Sequence, residues 1–216
     1  MHFLITAGGT REYIDSVRFI SNASSGRMGY ALALAATKAG HKVTLVSASD
    51  LQPAIGVDFV GIDSAAEMFS AVKKFFSKCD CLIMAAAVAD YAPAKKSKVK
   101  IKKSKRDLII KLKPTVDILK WAGRHKKKQI VIGFALEEKN LRKSAEKKLK
   151  EKRLDMIIAN TTAAIESEEA CVQIKIPNQK WIKLPQANKN TIAKKIIALG
   201  EKLGKKTISK RASNKQ

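Results

Sequence analysis

Residues 2–47 read HFLITAGGTREYIDSVRFISNASSGRMGYALALAATKAGHKVTLVS. His2–Thr6 is a short apolar run with the character of a buried strand. Gly26–Ala39 has helical periodicity and is closed by Gly40 at its C-terminal cap. Lys42–Ser47 is the next strand. The connection between the first strand and the helix, Ala7 to Ser25, is about 19 residues, against the usual 2–6 for a βα loop, and connections of that length generally carry function. It lies beyond the carboxyl end of a strand, where open α/β sheets bind ligands. Gly8-Gly9 permits a tight turn and close approach of a ligand. Ser24-Ser25-Gly26 opens the helix, offering hydroxyls and N–H groups to an anion at the positive end of the helix dipole. Gly26, Gly29, Ala31, Ala33 and Ala35 keep the helix slim against the sheet.

Outward from this unit the alternation continues. Val57–Ile62 is a strand, Ser64 caps a helix through Phe76, and Cys81–Ala87 is a buried strand. Val116–His125, Gln129–Phe134, Glu138–Lys152 and Asp155–Ala159 follow as helix, strand, helix and strand, and Ala187–Leu203 is the last helix. Two stretches break the rhythm. Val99–Lys103 and Leu108–Lys113 alternate apolar and basic residues around Ser104–Asp107, which predicts a hairpin with one wet face. Ala170–Ile176 and Lys180–Leu184 predict a second hairpin turning at Pro177-Asn178-Gln179. Strands alternating with helices imply an open parallel sheet, doubly wound, with helices on both faces and the hairpins projecting from it. No repeat or linker divides the chain.

The 216 residues suit one domain with a substantial core, and an apolar fraction of 45% excludes a disordered chain. No apolar run reaches the ~18 residues of a membrane span. Residues 1–10 lack the basic n-region of a signal peptide. The three cysteines include two, Cys79 and Cys81, that are too close to pair comfortably, so a reducing, cytoplasmic setting is expected. Cys79-Asp80-Cys81 has no second Cys or His cluster to make a metal site. The net charge of +24 would attract nucleic acid, anionic membrane or phosphate-rich small molecules. The lysines are spread without interleaved aromatics, so a nucleic-acid-binding protein is the alternative reading, not the expected one.

A nicotinamide-dependent oxidoreductase is a second alternative, and two features count against it. The glycines are split between the two ends of the first loop, whereas G-x-G-x-x-G should open the helix directly. Tyr91 and Lys95 have the Tyr-x-x-x-Lys spacing of short-chain dehydrogenases, but Pro93 between them opposes the shared helix face this chemistry needs.

The string from Ile5 to Gly29 resembles the signature of phosphopantothenate–cysteine ligases, the ligase half of the bifunctional coenzyme A biosynthesis protein. The resemblance continues through Ala85-Ala86-Ala87-Val88-Ala89-Asp90-Tyr91, Lys100-Ile101-Lys102-Lys103, Ile132-Gly133-Phe134-Ala135-Leu136-Glu137, Lys148 to Asp155, and Ala159-Asn160, covering about residues 3 to 200. It implies a Rossmann-like three-layer fold, a nucleotide-dependent ligase domain over 1–203 and a basic, fraying tail over 204–216. It also implies a two-step reaction. A carboxylate of 4′-phosphopantothenate attacks the α-phosphate of a nucleoside triphosphate, CTP in most bacterial members, with Mg²⁺ on the phosphates. The acyl-cytidylate is then attacked by the amine of cysteine.

The resemblance also assigns roles. Asn22 holds the acyl-nucleotide for amine attack, and Lys100 stabilises the α-phosphate transition state. Ser24, Ser25, Gly26, Ala85, Ala86 and Asp90 contact the nucleotide. Val116, Asp117, Ile118, Leu119 and Phe134 form the pocket for the base, and Lys148 and Lys152, four apart on one helix face, reach the same nucleotide. Gly8, Gly9 and Arg18 join Asn22 in binding substrate. No metal-ligating protein cluster is expected. A homodimer is implied, in which an extension of one subunit helps cover the other's site. The flavin-dependent decarboxylase half has no counterpart in this sequence, so no flavin is expected, and the decarboxylase partner is expected as a separate chain. Thr161 after Asn160, the absence of glycine from Thr161–Glu169, and Tyr13 depart from the family pattern.

Overall fold

The computed structural model describes residues 1–161 and 169–213, the last eight by backbone alone. In chain order β1 (His2–Ala7) is followed by β2 (Arg11–Tyr13), β3 (Phe19–Ser21), α1 (Arg27–Lys38), β4 (Lys42–Ser47) and β5 (Asp58–Gly61). Next come α2 (Ala65–Phe76), β6 (Cys81–Met84), β7 (Tyr91–Pro93), β8 (Leu112–Pro114), α3 (Ile118–His125) and β9 (Ile130–Leu136). The chain continues with α4 (Leu141–Glu151), β10 (Met156–Asn160), β11 (Glu169–Ala170), β12 (Gln173–Lys175), β13 (Ile182–Lys183), β14 (Ala187–Asn188) and α5 (Lys189–Ser213).

Eight strands form the main sheet in the order β13-β12-β10-β9-β6-β1-β4-β5. The six from β5 to β10 are parallel. The chain runs outward from β1 through β4 to β5, then crosses to β6 and continues to β9 and β10. This is the doubly wound, Rossmann-like order, with the reversal between β1 and β6. A strand covered on both faces needs apolar residues at every position, which is what the continuous runs provide. Phe3, Ile5 and Ala7 join Leu32, Ala36, Ile192 and Ile196 beneath α1 and α5. Leu4, with Val46 and Leu82, joins Met68, Val72, Ala122 and Leu149 beneath α2, α3 and α4. Successive residues of β1 therefore serve opposite cores, and three layers follow.

Local signals place the ends. The Ser64 hydroxyl accepts from Glu67 N–H while the Glu67 carboxylate reaches back to Asp63 N–H, a capping box that starts α2. Gly40 closes α1. A Cβ on Gly29 would lie 2.4 Å from the Ala7 Cβ, so the helix approaches the end of β1 only because that side chain is missing.

Three expectations about the connections are corrected. The hairpin of Val99–Lys103 with Leu108–Lys113 does not form. Residues 99–111 carry no ladder, and the short pair is Tyr91–Pro93 with Leu112–Pro114. Lysines on both expected arms would face one another, which opposes pairing, and Val99 and Ile109 find no surface to bury against. The second hairpin forms over β12 and β13, with Asn178 in the left-handed region at its turn, but it extends the main sheet instead of projecting. The long first loop contains a small β2–β3 ladder that its sequence did not announce. Helix α5 continues past Leu203 to Ser213, a lysine-rich stretch of adequate helix propensity. The 162–168 part of the Thr161–Glu169 departure lies outside the described residues.

Candidate functional site

A cavity of about 560 Å³ opens where the strand order reverses, outside the carboxyl ends of β1 and β6. That is the size of a small-molecule site and the position an open α/β sheet provides for one. One wall is Asn22 to Met28, between β3 and the start of α1. Gly26 is the N-cap, at φ 81°, and no side chain caps the helix. Its first turn has no acidic residue, so its N–H groups face the cavity without a built-in anion. The loop is braced from behind. Ser49 Oγ donates to Ser25 O at 2.8 Å, and a Cβ on Gly26 would fall 2.8 Å from the Ser49 Cβ.

Asn22 ties this wall to the next. Its Nδ2 donates to Ala87 O and Val88 O at 3.2 and 3.3 Å, linking the loops that follow β1 and β6. The side chain is thus not spent on an Asx turn. Met84 to Val88 and Asp90 form the second wall. Thr115 fixes its end, donating from its hydroxyl to Ala89 O and from its N–H to Asp90 O.

The third wall comes from α3, β9 and α4. Asp117 caps α3 by accepting from Lys120 N–H at 2.9 Å and pairs with Lys152 Nζ at 2.8 Å. Burial alone would push the Asp117 carboxyl up, but the Lys152 and Lys120 hydrogen bonds bring it below its ordinary range. Lys148 Nζ donates to Phe134 O at 2.7 Å. Burial, aided by the Lys152 charge, pulls the Lys148 amine below the ordinary lysine range against Glu137, Asp117 and Asp90. Ile118, Leu119 and Phe134 add apolar surface beside these polar groups.

Of the residues singled out by sequence, Asn22, Ser24, Ser25, Gly26, Ala85, Ala86 and Asp90 line this cavity, as do Val116 to Leu119, Phe134, Lys148 and Lys152. Gly8 and Gly9 stand behind the wall, Gly8 at φ 80° against Ser49 and Gly9 against Asn22 O. Arg18 turns to Asp15, and Lys100 is exposed on the irregular 99–111 stretch, outside the cavity wall. Sequence reasoning missed Met28, Thr115 and Lys189, which line the cavity. Thr115 could have been suspected, since it stands two residues before the cap of α3. Lys189 has no local signal, being far along the chain. Tyr91 lies on a strand, which removes the dehydrogenase spacing from consideration. Among the described residues no cluster of three His, Cys, Asp or Glu could hold a metal ion.

Fold and site together define a doubly wound α/β protein with a cavity at the switch point of its sheet. The chain belongs to the DNA/pantothenate metabolism flavoprotein C-terminal domain family, whose model matches residues 1–203. It is 47% identical over 165 residues to the coenzyme A biosynthesis bifunctional protein CoaBC of Bacillus subtilis (strain 168), covering 76% of this chain and 41% of that protein. It is 42% identical over 200 residues to the CoaBC protein of Borreliella burgdorferi, covering 91% and 51%. The chain thus spans about half the length of the curated relatives it matches. A crystal structure of the C-terminal domain of CoaBC superposes with a TM-score of 0.82 at 41% identity, covering 94% of this chain and 95% of that one. The resemblance read from the sequence is borne out.

Proposed function

We propose that this protein is a phosphopantothenate–cysteine ligase that works through an acyl-cytidylate. The observation that carries the proposal is the convergence of the sequence-derived nucleotide residues, Lys100 excepted, on one cavity at the switch point. The uncapped first turn of α1, with Ser24 and Ser25, suits phosphate oxygens. Phe134, Ile118 and Leu119 suit a base, with Lys148, Lys152 and Asp117 at its edge.

In the first step the phosphopantothenate carboxylate displaces pyrophosphate from CTP. Lys100 supplies positive charge as pentavalent phosphorus and the leaving group gather negative charge. In the second step the cysteine amine attacks the acyl carbon and CMP leaves. Asn22 holds the walls in register around the mixed anhydride. Mg²⁺ would supply charge neutralisation on the phosphates. The cavity's carboxylates are Asp90 and Asp117, and Asp117 is paired with Lys152, so Asp90 would be the protein group left to hold the ion, with the phosphates supplying the rest.

Exposed Val17, Phe19, Ile20 and Leu112, together with a Lys100 standing outside its own cavity wall, support a homodimer that completes each site. Free Cys79, Cys81 and Cys171 support a reducing, cytoplasmic setting. Among the described residues no helix is long and apolar enough to cross a membrane. The test is pyrophosphate release with phosphopantothenate, cysteine and either CTP or ATP. Release with CTP that depends on phosphopantothenate is expected. Equal or faster release with ATP overturns the nucleotide choice, and none with either overturns the ligase.

A further inference from the structure

Asp15 is fully buried and accepts five hydrogen bonds. Val17 N–H and Arg18 N–H reach its Oδ1 at 2.8 Å. Arg18 Nε and Nη2 reach its Oδ2 at 2.9 and 2.5 Å. The fifth donor comes from far along the chain, Ile101 N–H at 3.1 Å. Arg18 Nη2 also donates to Ile101 O at 2.7 Å. Both backbone groups of Ile101 are therefore held by one ion pair. Ser97 N–H, donating to Ile14 O, secures the same stretch a little earlier.

The setting gives this clamp its meaning. Residues 99–111 have no ladder, and Val99, Leu108 and Ile109 are exposed, so neither pairing nor apolar burial sets their course. Lys100 is the residue next to the clamped one. A buried carboxylate is costly unless fully paired, so it is a poor way to gain stability but a good way to select one arrangement. The Arg18 guanidinium and backbone N–H hold the Asp15 carboxyl well below the usual range, so the clamp stays charged at neutral pH.

We propose that Asp15, with Arg18, is a positioning pair that fixes the course of the chain at Ile101 and so presents Lys100 for the first half-reaction. This rests on the reading of Lys100 as the activating lysine. It gives Arg18 a task besides the substrate contact expected from its position in the motif.

The test compares Asp15→Asn, Lys100→Ala and the double variant, with CTP and phosphopantothenate. Asp15→Asn should lower the maximal rate of pyrophosphate release by about 10- to 100-fold, the scale of a misplaced catalytic group. The dissociation constant for CTP alone should stay within about twofold, since the cavity wall is untouched. The double variant should be no slower than Lys100→Ala. Multiplying effects in the double variant, a parent rate in Asp15→Asn, or a change in CTP binding alone would overturn the proposal. Should Asp15→Asn fail to fold, Arg18→Lys keeps the charge but loses the fork that joins Asp15 Oδ2 to Ile101 O, and the same outcomes apply. If Lys100→Ala keeps the parent rate, the role of Lys100 fails, and the clamp is judged by trypsin. Faster cleavage within 98–106 of otherwise folded Asp15→Asn upholds the clamp, and unchanged cleavage removes it.

Discussion

Lys152, the residue that closes α4, places its Nζ 2.8 Å from the carboxylate of Asp117, the residue that opens α3. Two helix ends thus meet at the cavity wall through a charged bond. The approach is possible because of a third residue. A Cβ on Gly123 of α3 would lie 1.8 Å from Lys152 O, so the backbones touch where only glycine fits.

Gly123→Ala should therefore cost stability despite the better helix propensity of alanine. The propensity gain is about 1 kcal/mol, whereas overpacking against a backbone carbonyl costs about 1–3 kcal/mol. Because the displaced carbonyl belongs to Lys152, CTP affinity should fall together with the melting temperature. Thermal unfolding and a CTP titration check both, and unchanged CTP affinity would detach Lys152 from the nucleotide.

Lys148 should show the opposite balance. Its folded pKa lies below that of an unfolded lysine because of burial and Lys152. Between the two values the unfolded chain binds more protons, so stability rises with pH in that window and the cost is fully present below it. Lys148→Met should raise stability at neutral pH, flatten its alkaline rise and weaken CTP binding. Denaturant titrations from neutral pH to the lysine range measure the first two.

The half-reactions should separate. Lys100→Ala should lose pyrophosphate release by about 3 kcal/mol of transition-state stabilisation, the scale of one electrostatic donor. Asn22→Asp places a carboxylate against Ala87 O and Val88 O, which now accept from its amide. Activation should survive in part while amide formation fails, so acyl-cytidylate should accumulate in the presence of cysteine. Mass spectrometry detects it, and normal turnover by Asn22→Asp would refute its role.

Thiol reactivity should be confined to one cysteine. Burial pushes the Cys79 thiol up to about 12 and Cys81 well above its ordinary value, while Cys171 is exposed. A disulfide thiol reagent should label Cys171 alone in the native protein and all three after denaturation. Rapid native labelling of Cys79 or Cys81 would contradict the buried strand start.

Sedimentation should report a dimer at micromolar concentration. Phe19→Glu or Ile20→Glu, on the exposed β2–β3 ladder, should shift it to monomer and lower pyrophosphate release together. A monomeric parent, or a monomeric variant with full activity, would end the case for a shared site.

The sequence by itself determined the layered fold, because β1 and its neighbours carry apolar residues at every position and the helices one apolar stripe, a pattern two-sided burial alone explains. It also located the wall from Asn22 to Gly26, whose signals are local: a long loop and a glycine-opened helix. The Lys148–Lys152 pair came only with the family resemblance, since a spacing of four among neighbouring lysines otherwise reads as a solvated face. Tertiary structure alone decided the rest. The lysine-alternating stretch after Val99 has the period of a strand, yet its fate depended on charge across the ladder and on a surface to bury against, and it found neither. Arg18 and Ile101 are far apart in sequence, and only the fold brings a buried Asp15 between them. Lys189 reaches the cavity for the same reason. Periodicity reports which face of an element is wet. Which wet residues meet is set by the packing of elements whose order in the sheet is not their order in the chain.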